Sequence, residues 1–80
     1  MSSQMLEIVE FMREISEDNT LPRNVRQKIG VVIELLTDNG DTSMMINKAM
    51  NELEDLVEDR NLQAYSRTQL YNVISQLESI

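Results

Sequence analysis

Hydrophobic residues recur along this chain at spacings of three and four in four separate stretches. Residues that return at this interval lie on one side of an α-helix, so each stretch predicts an amphipathic helix with one buried face. No stretch of useful length alternates apolar and polar residues as a half-buried strand would. The pattern therefore predicts an all-α fold, with helices at about Ser3 to Glu17, Leu21 to Leu36, Thr42 to Glu58 and Leu62 to Glu78.

The predicted core is aliphatic, because the chain contains only three aromatic residues, one Phe and two Tyr. Gly30 stands inside the second helix, where glycine costs roughly 1 kcal/mol relative to alanine. Close approach of a neighbouring helix is the expected reason, with a ligand contact as the alternative. The residues expected to face the core are Met5, Ile8, Val9, Phe11, Met12, Ile15, Leu21, Val25, Ile29, Val32, Ile33, Leu36, Met45, Ile46, Ala49, Met50, Leu53, Leu56, Val57, Leu62, Tyr65, Leu70, Val73, Ile74 and Leu77.

Polar residues at the joints predict how the helices begin and end. Pro22 is expected in the first turn of the second helix, where its missing N–H removes no hydrogen bond. Gly40 is expected to take a left-handed conformation just after that helix. The residues expected to cap helix N-termini are Ser2 or Ser3, Thr20, Asp41 or Thr42, and Asn61.

The segment 14–36 resembles the segment 55–77 without any gap, at an offset of 41 residues. The identical pairs are Glu17 and Glu58, Asp18 and Asp59, Leu21 and Leu62, Arg26 and Arg67, Val32 and Val73, Ile33 and Ile74, and Leu36 and Leu77. A period of about 40 residues is that of one helical hairpin in HEAT-like arrays. We therefore predict a single domain over residues 1–80, in which two HEAT-like antiparallel hairpins, at about 3–37 and 42–80, stack into a compact bundle.

The formal net charge is −7, and the chain contains neither histidine nor cysteine. The missing cysteines exclude disulfides and thiolate metal sites, and they fit a reducing compartment. An acidic chain repels phosphate backbones, so direct nucleic-acid binding is not expected. A signal peptide needs an uninterrupted apolar segment, and Glu7 and Glu10 interrupt the apolar stretch at the N-terminus. No apolar run approaches the ~20 residues of a membrane span. These features predict a cytoplasmic protein.

The first inter-helix turn resembles the signature of a HEAT unit, which has an acid, then proline, then Val-Arg early in the second helix. The run 17–26 follows this order, and its copy at 58–67 lacks the proline and the valine. In such repeats the acid and the arginine usually form a ladder between units. The residues expected to form structural ion pairs, rather than a ligand site, are Asp18, Arg26, Asp59 and Arg67.

Three segments also carry a resemblance to a known family. Pro22–Arg26 in the first hairpin, and Ala64–Thr68 with Val73–Glu78 in the second, are similar to small archaeal proteins grouped as Uncharacterised Protein Family 0147. The resemblance covers roughly residues 5–79 and implies a small helical protein. It implies no activity, cofactor or catalytic residue.

Enzymatic chemistry finds little support in the sequence. Without histidine or cysteine there is no catalytic triad, no cysteine nucleophile and no histidine-containing metal site. The run from Asp38 to Asp41 could suggest a calcium loop, but an EF-hand that starts there needs glycine and glutamate where Ser43 and Ala49 stand. The remaining acids recur at spacings typical of solvated helix faces. The sequence therefore predicts a non-enzyme that binds no metal or cofactor.

Self-association is expected, because two hairpins are fewer than the roughly three repeats usually needed to bury such a core. Met44 and Met45 point about 100° apart on a helix, so both cannot face the same core. One of the two is therefore expected at an edge, and we predict a homodimer whose interface involves either Met44 or Met45, with Tyr71 as a further candidate.

The sequence thus favours a non-enzymatic interaction module that presents a helical face to another protein. The alternative is association with a ribonucleoprotein through the basic end near the hairpin turns. Arg23 and Arg60 would then contact phosphate groups, or they would only neutralise the acids at the same end.

Overall fold

The computed structural model describes residues 2–80 and confirms the all-α fold. Its helices are α1 (Ser3–Ser16), α2 (Arg23–Thr37), α3 (Thr42–Val57) and α4 (Ala64–Glu78). Each of the four helices ends within one residue of the C-terminal end predicted from the sequence. The starts of α2 and α4 lie two residues later than predicted, and the chemistry of the preceding turns explains this difference.

The starts of α1 and α3 are capped as the sequence predicts. The Ser2 side chain accepts a hydrogen bond from the Met5 N–H at 3.1 Å, and the Asp41 carboxylate accepts one from the Met44 N–H at 3.2 Å. Each bond satisfies one of the backbone donors that a helix N-terminus leaves without an intrahelical partner.

The predicted caps Thr20 and Asn61 are wrong. Their N–H groups donate to the carboxylates of Asp18 and Asp59, at 2.9 and 2.8 Å. An Asp side chain that accepts from the N–H two residues ahead closes a tight turn. The leucine that follows each turn is buried while still outside a helix, so α2 and α4 begin two residues further on.

Neither glycine has the role that the sequence suggested. Gly40 does not have a positive φ, because α2 ends at an extended residue, Asp38, rather than in a left-handed turn. A Cβ placed on Gly30 would meet no heavy atom within 4 Å, apart from the local backbone of α2 itself. No neighbouring helix approaches Gly30 closely, and that prediction is also wrong.

The four helices form a closed ring in which each packs on two neighbours. α1 packs on α2, α2 on α3, α3 on α4, and α4 returns to pack on α1. Within residues 2–80, no Cα atoms of the diagonal pairs, α1 with α3 and α2 with α4, approach within 8 Å. A stack of HEAT units would bring those diagonal pairs together, so the HEAT-like arrangement is not confirmed. The molecule is a compact four-helix bundle with up-down-up-down topology.

The core lies along the axis of the ring and is built mainly from the predicted aliphatic residues. One prediction fails in α4, where Tyr65 is 70% exposed and Ser66 is buried in its place. Leu70, Val73 and Leu77 follow Ser66 at spacings of four, three and four, and Tyr65 falls one residue outside this stripe. The tyrosine is therefore available on the surface.

Candidate interaction surfaces

Both hairpin turns, 17–22 and 58–63, lie at one end of the bundle, because neighbouring helices run antiparallel. Arg67, in the first turn of α4, makes the most contacts at this turn end. Its Nε donates to the Val57 carbonyl at 2.8 Å, and its Nη2 donates to the carbonyls of Asp59 at 2.8 Å and Leu62 at 3.2 Å. One guanidinium thus binds the C-terminal end of α3 and fixes the turn into α4.

Arg26 occupies the corresponding position of the first hairpin, and its Nε is buried without a hydrogen-bond partner. Asp18 accepts bonds from the hydroxyl and the N–H of Thr20, and these bonds, the hydroxyl's first, lower the pKa of Asp18 below its ordinary value. Asp59 accepts a hydrogen bond from the Asn24 side chain at 3.3 Å, which links the second turn to α2.

The ion pairs expected among Asp18, Arg26, Asp59 and Arg67 are therefore not formed in residues 2–80. Backbone groups take their place. The guanidinium of Arg67 donates to carbonyls at the end of α3 and in the turn that follows, and both carboxylates accept from N–H groups of their turns. The turn end is held by hydrogen bonds between charged side chains and the backbone.

Arg23 and Arg60, which were considered as phosphate contacts, are both exposed at the turn end. Arg23 is the first residue of α2, and Arg60 lies in the turn before α4. Asp18 and Asp59 occupy the same two turns, so this end of the bundle carries charges of both signs.

A short ion pair joins α2 to α3. The Nζ of Lys28 lies 2.7 Å from Oε2 of Glu52. The hydrogen bond to Glu52, followed by the charge of the same carboxylate, raises the pKa of Lys28 above its ordinary value. The pair marks which sides of the two helices face each other.

The structure separates the three residues considered for a dimer interface. Met45 is buried, whereas Met44 and Tyr71 are each about half exposed. Met44 precedes Glu52 by eight residues and lies about 80° from it around α3. Tyr71 follows Arg67 by one turn, on the side of α4 that faces α3. These residues do not form one continuous patch.

The outward face of α4 carries almost no charge. From residue 64 to residue 77 the only charged side chain is Arg67, and its guanidinium is bonded to backbone carbonyls. Tyr65 and Tyr71 are 70% and 51% exposed, and the Tyr65 hydroxyl accepts a hydrogen bond from the Gln69 amide at 3.2 Å. The α4 face consists of Tyr65, Thr68, Gln69, Tyr71, Asn72, Ser75 and Gln76.

The α4 face was not predictable from the apolar pattern, which places Tyr65 in the core. The signal that could have indicated the face is the uncharged run between Arg67 and Glu78, in a chain of which 26% of residues are charged.

A cavity of about 480 Å³ opens at the opposite end of the bundle, where α1 and α3 begin. Its apolar lining includes Met5, Leu36, Met45 and Ile80, and the loop 38–40 forms part of its polar rim. Ser2 lies on the same rim, so both ends of the described chain border this cavity.

Within the described chain, no group of three or more acidic side chains is arranged to hold a metal ion. None of the helices α1 to α4 is both long enough and apolar enough to cross a bilayer.

The whole chain matches a known protein family. The matching family model is described as "Uncharacterised protein family (UPF0147)", and it covers residues 1–80. This chain belongs to the UPF0147 family. The resemblance inferred from the segments around Pro22 and Tyr65 is thereby confirmed.

UPF0147 relatives occur in several archaea. A UPF0147 protein of Archaeoglobus fulgidus is 39% identical over 74 residues, which cover 92% of this chain and 85% of the relative. UPF0147 protein TK2131 of Thermococcus kodakarensis is 32% identical over 82 positions, covering 100% of this chain and 99% of the relative. The crystal structure of "unknown function protein MMP1188" matches with a TM-score of 0.89 and 31% identity, over 96% of this chain and 89% of that one. The four-helix ring is thus similar to an experimentally determined fold.

Proposed function

We propose that this UPF0147 protein is a non-enzymatic interaction module that binds another protein through the α4 face. The supporting observation is that two exposed tyrosines lie on an uncharged helix surface, in a chain whose net charge is −7. The cores of protein–protein interfaces are enriched in tyrosine and depleted of Lys, Glu and Asp. No other helix of residues 2–80 combines these two properties.

The α4 face is also held rigidly by the rest of the bundle. Arg67 ties the first turn of α4 to α3, while Leu70, Val73 and Leu77 are buried in the core. A preorganised surface loses little conformational entropy on binding, which favours its use as a docking platform.

Catalysis at the α4 face is not part of this proposal. The hydroxyl and amide side chains of the α4 face have no histidine to activate them, and the face itself carries no carboxylate. A nucleophilic hydroxyl requires an adjacent general base.

We propose that self-association, if it accompanies this function, uses a different edge, where α2 meets α3. Val31 and Met44 are exposed on these two helices, Val31 three residues after Lys28 and Met44 eight residues before Glu52. This edge borders α2, which lies diagonally across the ring from α4. A dimer formed there would leave both α4 faces free.

We further propose that both hairpins descend from one HEAT-like hairpin that now closes into a ring instead of stacking. The same turn bonds support this: the Leu21 N–H donates to the Asp18 carbonyl at 3.2 Å, and the Leu62 N–H donates to the Asp59 carbonyl at 3.2 Å.

The central experiment compares proteins captured from native lysate by the wild type, a Tyr65→Ala/Tyr71→Ala variant and a Leu6→Ala control. Leu6 is an exposed apolar residue on α1, so the control removes apolar surface without changing the α4 face. We expect a protein that is captured by the wild type and the control but lost from the tyrosine variant. Capture that is the same for all three chains would contradict the proposal.

Association with a ribonucleoprotein is the second candidate, and the exposure of Arg23 and Arg60 at the turn end supports it. Binding of this kind should be lost after nuclease treatment, weaken steeply with added salt and fall in Arg23→Glu and Arg60→Glu variants. Binding through the α4 face should survive nuclease treatment and both arginine substitutions.

A further inference from the structure

We infer that the partner of the α4 face is a cationic amphipathic helix, an inference that rests on the function proposed above. The ring order places α4 between α1 and α3, which both carry acidic outer surfaces. The α4 face is therefore an uncharged strip with carboxylates along both of its edges.

The first acidic edge belongs to α1. Gln4 and Glu7 line a shallow groove together with Gln76 of α4, so this side of α1 borders the α4 face. Glu14 follows Glu7 by seven residues, which on an α-helix returns to the same side two turns later. Both glutamates are exposed. Two carboxylates thus run along this edge.

The second acidic edge belongs to α3. Arg67 of α4 reaches the carbonyl of Val57, which shows where the end of α3 lies beside α4. Glu54 precedes Val57 by one turn and is exposed, and Tyr71 follows Arg67 by one turn on the facing side of α4. The Glu54 carboxylate therefore borders the strip on the side of Tyr71.

Charge complementarity selects the class of partner. A helix that lies along α4 with apolar residues on the tyrosines would place Lys or Arg side chains opposite the two glutamate edges. Complementary potentials of this kind steer association and exclude partners of the same sign. A second copy of this chain would bring its own glutamates against the same edges, so it is disfavoured as the occupant.

The dimensions of the strip also set the partner's length. α4 has 15 residues and is therefore about 22 Å long. A partner helix of about four turns would cover it from Tyr65 to Gln76. Tyrosine side chains at the centre of an interface are common sites of large energetic contribution.

The test is a selection from a displayed library of four-turn helical peptides with an apolar stripe and randomised flanking positions. The bait is the full wild-type chain, and the Tyr65→Ala/Tyr71→Ala variant is used for counter-selection. We expect the selected peptides to carry Lys or Arg at the flanking positions. We expect the selected peptides to change the NMR chemical shifts of backbone amides in α4 and in the bordering edges of α1 and α3 of the wild type.

Two sets of variants then separate the contributions to binding of a selected peptide. The tyrosine substitutions should weaken its affinity at least about tenfold. A Glu7→Gln/Glu14→Gln/Glu54→Gln variant should bind more weakly at low salt and should lose most of the salt dependence seen with the wild type. Matched Glu34→Gln and Asp55→Asn substitutions should leave the affinity nearly unchanged, because Glu34 lies on α2, which does not contact α4, and Asp55 lies on the side of α3 near Lys28.

The results distinguish an error in the partner's charge from an error in the binding site. Selected peptides with neutral or acidic flanks that still bind α4 would overturn the cationic partner and leave the proposed function intact. Chemical-shift changes that lie only outside α4, or no enrichment at all, would overturn both. Self-association of the chain that the Tyr71→Ala substitution abolishes would identify a second copy as the occupant and overturn the inference.

Discussion

Arg67 donates a 2.8 Å hydrogen bond from its Nε to the carbonyl of Val57, at the last residue of α3. The final carbonyls of an α-helix have no intrahelical donor, so a guanidinium at this position satisfies groups that otherwise require water. The corresponding Nε of Arg26 is buried without a partner. Two arginines at equivalent places in the two hairpins therefore contribute unequally to stability.

Arg67→Ala should lower the free energy of unfolding by about 2–3 kcal/mol, because three charge-assisted hydrogen bonds to carbonyls are lost. Arg26→Ala is the matched control and should cost clearly less. Arg67→Lys should recover only part of the loss, since an ammonium lacks the forked geometry that reaches three acceptors. Urea denaturation of the variants measures the difference. Equal losses for Arg26→Ala and Arg67→Ala would refute this assignment.

Replacing Gly30 by alanine should stabilise the protein by about 0.5–1 kcal/mol. Glycine in a helix interior costs about this much relative to alanine, and a Cβ at this position meets open space. Thermal denaturation followed by circular dichroism would show the gain as a higher Tm. A lower Tm would mean that another group does approach this part of α2.

The Lys28–Glu52 pair should make part of the stability sensitive to alkaline pH. The pKa of Lys28 is raised in the folded state, so the pair stabilises fully below the ordinary lysine pKa of about 10.4. This contribution is lost as the pH rises through the raised pKa. Lys28→Met and Glu52→Gln should each lower the Tm at neutral pH, and the difference from the wild type should shrink above about pH 11. A difference that stays constant with pH would argue against the pair.

A homodimer remains a prediction, and the structure directs its test to the edge between α2 and α3. Sedimentation equilibrium at tens of micromolar protein should show a dimer that Met44→Glu dissociates. Leu6→Glu, which changes an exposed residue of α1, should leave the dimer intact. A wild type that is monomeric at this concentration would contradict the predicted self-association.

The sequence predicted the helices well, because burial periodicity is a local property that each helix displays by itself. Residues such as Met12 and Ile29 lie in the core as expected. The order of helices around the ring could not be obtained in the same way. A 41-residue repetition is compatible both with stacked hairpins and with a closed ring, and packing between distant faces decides between them.

The surfaces were less predictable than the core. Ion pairs were expected from Asp18 and Arg67 because their charges are opposite, but free backbone groups compete for the same side chains at helix ends and turns. Tyr65 was assigned to the core by its hydrophobicity, although Ser66 is the residue in phase with the buried stripe. A one-residue shift on a helix rotates a side chain by about 100°, enough to move it from interior to surface.

Ser2 and Ile80 border one cavity, so the start of α1 and the end of α4 lie at the same end of the bundle. α4 packs on α1 without a loop that connects them. A short linker there, with new termini cut between Asn39 and Gly40, would give a circular permutant that is translated second hairpin first. Every helix would keep both of its neighbours in that permutant. We therefore expect that the order of the two hairpins along the gene can be exchanged, whereas the circle that they form must be kept.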